Sequence, residues 1–115
     1  MRKKLHGIYV VEFVNGFKIG MASDIVNRMG VYKSPWCKPI ISIYYIECGN
    51  PKMAEQYMKQ QFKDYIITNS GSTEFITNVT LNEILNEMIQ AKRKRPKWFS
   101  NGKYKNSKLT ELIFE

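Results

Sequence analysis

The sequence predicts an α/β fold class: a small, mostly antiparallel sheet of about three strands, flanked by helices and followed by a basic C-terminal extension. Residues 8–14 are rich in β-branched and aromatic side chains and end at an Asn-Gly pair, residues 15–16, which is typical of a tight β-hairpin. Residues 40–47, IISIYYIE, indicate a buried strand. The T-L-N-E capping box at residues 80–83 opens an amphipathic helix.

The hairpin determines which side chains share a face of the sheet. A turn at the Asn-Gly pair places Val14 opposite Phe17 and Phe13 opposite Lys18. Tyr9 and Lys18 then lie on one face but are offset by four residues, about 13 Å along the strands. We therefore expect no direct hydrogen bond between them, but a groove in which a bound phosphate bridges the two side chains.

Two helices are predicted between the hairpin and the capping box. The first is capped by Ser23 or Asp24 and runs to about Tyr32, with Arg28 and Tyr32 on the same face because they lie four residues apart. The second begins at residues 50–51, where asparagine at the N-cap is followed by proline at the first helical position.

The net charge of +8 is concentrated at the C-terminal end. Residues 92–115 contain eight Lys/Arg and two Glu, whereas residues 1–91 carry a net charge of only +2. We therefore predict a body, residues 1–91, and a basic, aromatic extension, residues 92–115. A basic segment on a nearly neutral body indicates a polyanionic partner, with nucleic acid first and an anionic membrane surface second.

The expected compartment is intracellular: the cytoplasm, or also the nucleus in a eukaryotic host. No apolar run is long enough to span a membrane, and no signal peptide is recognised. Cys37 and Cys48 are isolated, which is typical of free thiols in a reducing compartment.

The extension carries candidate nucleic-acid contacts. Its cations would bind phosphates and its aromatic rings would stack on unpaired bases. The candidates are Lys92, Arg93, Lys94, Arg95, Lys97, Trp98 and Tyr104. The alternative is a solvated helix end with Trp98 and Phe99 folded back onto the body. The final LTELIFE segment leaves a dimer contact open.

Several residues in order along the chain resemble the signature of the GIY-YIG nuclease superfamily. The match is to the K-I-G variant, common in phages and large DNA viruses, and extends over residues 7–76. It rests on Gly7-Ile8-Tyr9, Lys18-Ile19-Gly20, Arg28, Tyr32, Glu55 and the segment Gly71–Ile76.

The resemblance implies a role for each site residue. Tyr9 would be the general base, with Lys18 or the metal favouring its ionised form. Arg28 would clamp non-bridging phosphate oxygens through paired N–H donors, and Tyr32 would orient the water or stabilise the leaving group. Glu55 would hold one Mg²⁺ or Mn²⁺ ion, weakly bound without DNA because a single carboxylate leaves most of the coordination shell to water and substrate.

The leading hypothesis is therefore a metal-dependent DNA endonuclease that hydrolyses phosphodiester bonds. Two alternatives stay open: a DNA-binding module without turnover, and a protein-interaction factor with a basic targeting tail. Arg28 and Glu55 also have an ordinary structural interpretation, since each can form an (i, i+4) helix salt bridge, with Asp24 and with Lys59 respectively.

Overall fold

The computed structural model describes residues 4–32, 39–68, 74–99 and 102–113. Its centre is one antiparallel sheet of six strands in the order β4-β5-β2-β1-β3-β6. The strands are β1 (Gly7–Phe13), β2 (Gly16–Ala22), β3 (Ile40–Glu47), β4 (Ile66–Thr68), β5 (Glu74–Ile76) and β6 (Thr110–Glu111). The α/β class is confirmed, but the expectation of about three strands is wrong. The three additional strands have only two or three residues, too few to show a period of two in the sequence.

In the described ranges, four helices pack around this sheet. They are α1 (Ile25–Tyr32), α2 (Pro51–Gln61), α3 (Leu81–Lys94) and the single turn α4 (Pro96–Phe99), with 3₁₀ turns at Lys63–Tyr65 and Gly102–Tyr104. The predicted caps of α2 and α3 form: Asn50 Oδ1 accepts the Met53 N–H at 3.2 Å, and Glu83 N–H donates to Thr80 Oγ1 at 3.1 Å. None of the helices in the described ranges is long and apolar enough to cross a membrane.

The central strand β1 divides the core into two layers. Ile8 and Val10 point to one face, where they pack with side chains of α2, α3 and α4. Tyr9, Val11 and Phe13 point to the other face and pack against α1. The alternation of side chains along β1 therefore assigns Tyr9 to the α1 face.

The register of the hairpin differs from the predicted one by two residues. Phe13 pairs with Gly16 and Val11 with Lys18, so the loop consists of residues 14–15 rather than of the Asn-Gly pair. Gly16 is the first residue of β2 and pairs with Phe13. A Cβ at this position would lie 2.8 Å from the carbonyl oxygen of Ile76, so the close packing of β5 requires glycine. Gly16 thus allows another strand to approach closely. This is a tertiary requirement, which a local turn pattern cannot predict.

This shift keeps every side chain on its predicted face but shortens the separation within the site. Tyr9 now pairs with Gly20, and Lys18 is only two residues away from that position. The offset is about 7 Å along the strand instead of about 13 Å. The prediction that Tyr9 and Lys18 stand far apart is therefore wrong, since they are diagonal neighbours.

The C-terminal segment packs onto the body. Helix α3 continues through residue 91, where the boundary was predicted, and Phe99 is fully buried in the main core. Strand β6 pairs with β3, so the described part of LTELIFE extends this chain's own sheet. Cys48 is a buried free thiol whose pKa is raised to about 12 by burial, and Cys37 lies outside the described residues.

Candidate functional site

The site is built where the Tyr9 ring crosses the backbone of β2. Tyr9 is only 2% exposed, and its hydroxyl oxygen would lie 2.3 Å from a Cβ at Gly20. A glycine is therefore required for the ring to lie over the strand. The hydroxyl thereby reaches Tyr32 at the end of α1, with the two phenol oxygens 2.9 Å apart.

Replacing Gly20 with alanine is expected to destabilise the fold by about 1–3 kcal/mol, because the new methyl group would overlap the Tyr9 phenol and break its hydrogen bond to Tyr32. Urea denaturation measures this loss. Gly30→Ala is the matched control, since nothing lies within 4 Å of a Cβ at that exposed helix position. That control should be neutral or stabilising by up to about 1 kcal/mol. Equal midpoints for Gly20→Ala and the parent would contradict the packing of Tyr9 on Gly20.

The surroundings of Tyr9 disfavour its phenolate form. Burial raises the pKa of Tyr9 far above its ordinary value, the hydrogen bond to Tyr32 raises it further, and the opposing effect of Arg28 is smaller. Tyr9 is thus a neutral phenol at physiological pH in the free protein, suited to donating or accepting a hydrogen bond.

Lys18 behaves in the opposite way to Tyr9. It is half-buried, and burial lowers the pKa of its ammonium group below the usual range, assisted by the positive charge of Lys59. Glu74 and Glu55 raise this pKa, and Arg28 lowers it. The structure therefore brings all five predicted site residues into one electrostatic neighbourhood, since Arg28 and Glu55 act on both Tyr9 and Lys18.

A lysine shared by two carboxylates lies beside this cluster. Lys59 Nζ is 3.7 Å from Glu55 Oε1 and 3.4 Å from Glu74 Oε1. The Glu55–Lys59 pair is the helix salt bridge that the spacing allowed, whereas the contact of Lys59 with Glu74 joins α2 to β5. Sequence reasoning missed this role of Lys59 and Glu74, because the pair is formed between elements that are distant in the chain.

The carboxylates fit a hard, weakly held cation. Glu55 is the predicted carboxylate of the site and is partly exposed, and Glu74 is a second acid joined to it through Lys59. No group of three or more His, Cys, Asp or Glu side chains is arranged around a common point among the described residues. One or two carboxylates completed by water and substrate oxygens suit Mg²⁺ or Mn²⁺ rather than a zinc centre.

Lys18→Met is expected to make the fold more stable while reducing any activity of the site. Burial lowers the pKa of Lys18 in the folded state, so holding the protonated lysine there costs stability. This cost is complete at pH values below the Lys18 pKa of the folded state, and it is absent at pH values above the Lys18 pKa of the unfolded state. Removing the charge should therefore raise the free energy of unfolding at pH 7 by about 1 kcal/mol. The gain should shrink as the pH approaches the ordinary lysine pKa.

Urea denaturation of Lys18→Met from neutral to alkaline pH checks this expectation. Lys63→Met is the matched control, because Lys63 is exposed in the turn after α2. A Lys18→Met variant that is no more stable than this control at pH 7 would show that the Lys18 charge carries no penalty in the fold.

The C-terminal aromatic residues pack against the protein. Trp98 makes an edge contact with Tyr57, with ring centroids 6.0 Å apart, and Tyr104 stacks on His6 at 5.7 Å. Arg95 lies over the Trp98 ring, 5.5 Å from its centroid. This is the alternative arrangement in which Trp98 and Phe99 fold back, with Phe99 buried and Trp98 half-buried.

The cations of the extension differ in their availability. The Lys92 ammonium donates to the Ser107 carbonyl oxygen and so ties α3 to the C-terminal segment. Other predicted phosphate contacts are exposed to solvent, namely Arg93, Lys94, Arg95 and Lys97. The described part of the extension therefore offers charge, rather than open aromatic surfaces, to a partner.

Comparison with known proteins corrects the family expected from the motif. A family model described as the T5orf172 domain matches residues 6–94. This is a family distinct from the GIY-YIG nucleases, so the predicted membership of that superfamily is wrong. No curated protein and no solved structure matches this chain. Residues 71–73 of the segment that contributed to the resemblance lie outside the described residues.

Proposed function

We propose that this chain, which belongs to the T5orf172 domain family, hydrolyses phosphodiester bonds in DNA with the help of one divalent cation. The family match leaves the activity open, so the proposal rests on the site. The observation that carries it is the convergence of two phenols, a lysine of lowered pKa, an exposed arginine and a carboxylate at the edge of β2. These are the groups that hydrolysis of a phosphodiester requires.

Arg28 is the proposed phosphate clamp. It is exposed on α1, close enough to influence both Tyr9 and Lys18. A guanidinium can donate two parallel hydrogen bonds to the non-bridging oxygens and stabilise the charge that grows on them in the transition state. A phosphate bound by Arg28 would thus be presented to Lys18 and to the paired hydroxyl groups of Tyr9 and Tyr32.

Lys18 is the favoured general base. A base works best when its pKa lies near the working pH, and burial moves the pKa of Lys18 in that direction while it moves that of Tyr9 away. In this assignment the neutral amine of Lys18 accepts a proton from the attacking water. The Tyr9–Tyr32 hydroxyl pair holds that water or a phosphate oxygen in place, since one hydroxyl can donate while the other accepts.

Glu55 is the proposed metal ligand, with Glu74 as a second carboxylate nearby. A bound Mg²⁺ or Mn²⁺ ion would supply Lewis-acid stabilisation of charge on the phosphate and leaving oxygen. In the absence of the ion, Lys59 offsets part of the negative charge of the two carboxylates and links Glu55 to Glu74 on β5. This competition agrees with a cation that binds weakly until substrate oxygens complete its shell.

DNA binding would use the exposed cations of the C-terminal segment. Contacts of lysine and arginine with phosphates release counterions, so affinity should fall steeply with salt. A DNA substrate would place the protein inside the cell, in the cytoplasm or the nucleus.

A second candidate function, DNA binding without turnover, is favoured by one observation. Lys59 already lies between the two carboxylates that would hold the cation. If this ion pair persists when DNA binds, the cluster would bind phosphate without a metal and without hydrolysis.

Nicking of supercoiled plasmid by the purified protein with Mn²⁺, and its suppression by a chelator, tests the proposal. Metal-dependent nicking supports hydrolysis. Salt-sensitive DNA binding without nicking under any divalent cation would support the second candidate instead. A DNA affinity that does not change with salt concentration would favour the protein-interaction factor.

A further inference from the structure

A cavity of about 370 Å³ opens next to the proposed reaction centre. It is lined by His6, Met21, Ala22, Ser23, Arg28, Asn50, Pro51 and Lys52. The side chains of Arg28, Lys52, His6 and Ser23 line this space, and none of the described lining residues is acidic. The chemistry of the lining therefore favours an anion with several oxygen acceptors.

The cavity is continuous with the reaction centre through two elements. Arg28 belongs to both, since it lines the cavity and acts electrostatically on Tyr9 and Lys18. On α2, Lys52 precedes Glu55 by three residues, which is about 4.5 Å along the helix axis. Neighbouring phosphates of one DNA strand wind around the duplex axis, so they lie further apart in space than the axial rise of about 3.4 Å. A phosphate next to the one at the reaction centre would therefore come within reach of Lys52.

The C-terminal segment continues this positive surface beyond the rim of the cavity. The Asn50 N–H donates to the Trp98 carbonyl oxygen at 2.9 Å, which brings the exposed Lys97 close to the rim. On another side, Lys103 lies 5.3 Å from the centroid of the Tyr104 ring, which stacks on His6. The positive charge at this cavity therefore comes from side-chain cations rather than from the N-terminus of α2 alone.

We propose that this cavity is a second phosphate subsite, which binds the phosphate adjacent to the scissile one. The inference rests on the proposed function and specifies its substrate: a polynucleotide strand whose neighbouring phosphate is bound by Lys52 and the Ser23 hydroxyl, with Arg28 between the two phosphates. A small phosphodiester fills the reaction centre alone and leaves the cavity empty.

Lys52→Ala is the test variant, because Lys52 is exposed and alanine is compatible with its helical position. Binding of a fluorescent DNA duplex is measured in EDTA between 50 and 200 mM salt. Loss of one phosphate contact should make the negative slope of log Kobs against log[salt] shallower by about 0.9. The variant's affinity should therefore fall about 3.5-fold less than that of the parent between 50 and 200 mM salt. Lys63→Ala, beyond the opposite end of α2, is the control and should retain the parent slope.

A second measurement separates the subsite from the reaction centre. With Mn²⁺, Lys52→Ala should hydrolyse bis(p-nitrophenyl) phosphate, which has a single phosphate, within about twofold of the parent rate. A slope for Lys52→Ala equal to that of Lys63→Ala would overturn the subsite, even if the parent nicks plasmid. If the parent never nicks plasmid but the Lys52→Ala slope falls, the subsite stands and the hydrolytic proposal fails.

Discussion

Glu55→Gln is expected to lower the rate of plasmid nicking at least about 100-fold, because glutamine keeps the shape of the side chain but removes the charge that holds the divalent cation. Glu55 is partly exposed, and Lys59 retains Glu74 as a partner, so the fold should lose no more than about 0.5 kcal/mol. DNA affinity measured in EDTA should not fall, since the substitution removes a negative charge near the phosphates.

Glu111→Gln provides the matched control for this experiment. Glu111 is an exposed glutamate on β6, at the opposite edge of the sheet from the site. It should nick plasmid at the parent rate under the same Mn²⁺ concentration. If Glu55→Gln also cuts like the parent, Glu55 is not the metal ligand and the proposed mechanism must be abandoned.

Phe99→Ala is expected to destabilise the protein by about 3–5 kcal/mol, because it leaves a cavity in the main core. The Phe99 side chain is fully buried and shares that core with residues of α2 and α3, including Met58 and Met88. The free energy of unfolding in urea measures the effect.

Lys97→Ala is the corresponding control, since Lys97 is exposed two residues earlier in the same short helix. Its stability should stay within about 0.5 kcal/mol of the parent. A loss below about 1 kcal/mol for Phe99→Ala would mean that the C-terminal segment does not contribute to the core in solution. The segment would then be a dispensable extension beginning near residue 92.

The longer elements were predictable because their signals are local. The capping box at Thr80, the N-cap at Asn50 and the strand over residues 40–47 each occupy a few consecutive residues, although only Ile43 and Ile46 of that strand are buried. The short strands β4 and β6 gave no such signal, since two or three residues extend only when a neighbouring strand supplies their hydrogen bonds.

The sharing of one sheet face by Tyr9 and Lys18 was predictable, but the electrostatics of the two side chains were not. Alternation along β1 and β2 placed Tyr9 and Lys18 on one face, and a register shift by two residues preserves that result. Their separation and the direction of their pKa shifts depend on packing instead. Burial raises the pKa of the Tyr9 phenol and lowers that of the Lys18 ammonium, since in each case it disfavours the charged form.

The sequence alone determined the α/β class, the main helices and strands, and the side chains that share a face of the hairpin, because these follow from periodicity, capping and local spacing. The tertiary structure decided which residues meet. In the folded protein, β6 pairs with β3 at the edge of the sheet, and Phe99 is buried in the main core. Lys59 contacts both Glu55 and Glu74. Glycine is required at position 20 because the Tyr9 ring packs directly against the backbone there. Such contacts join residues distant in the chain, and their energies come from burial and close approach, which no local pattern specifies.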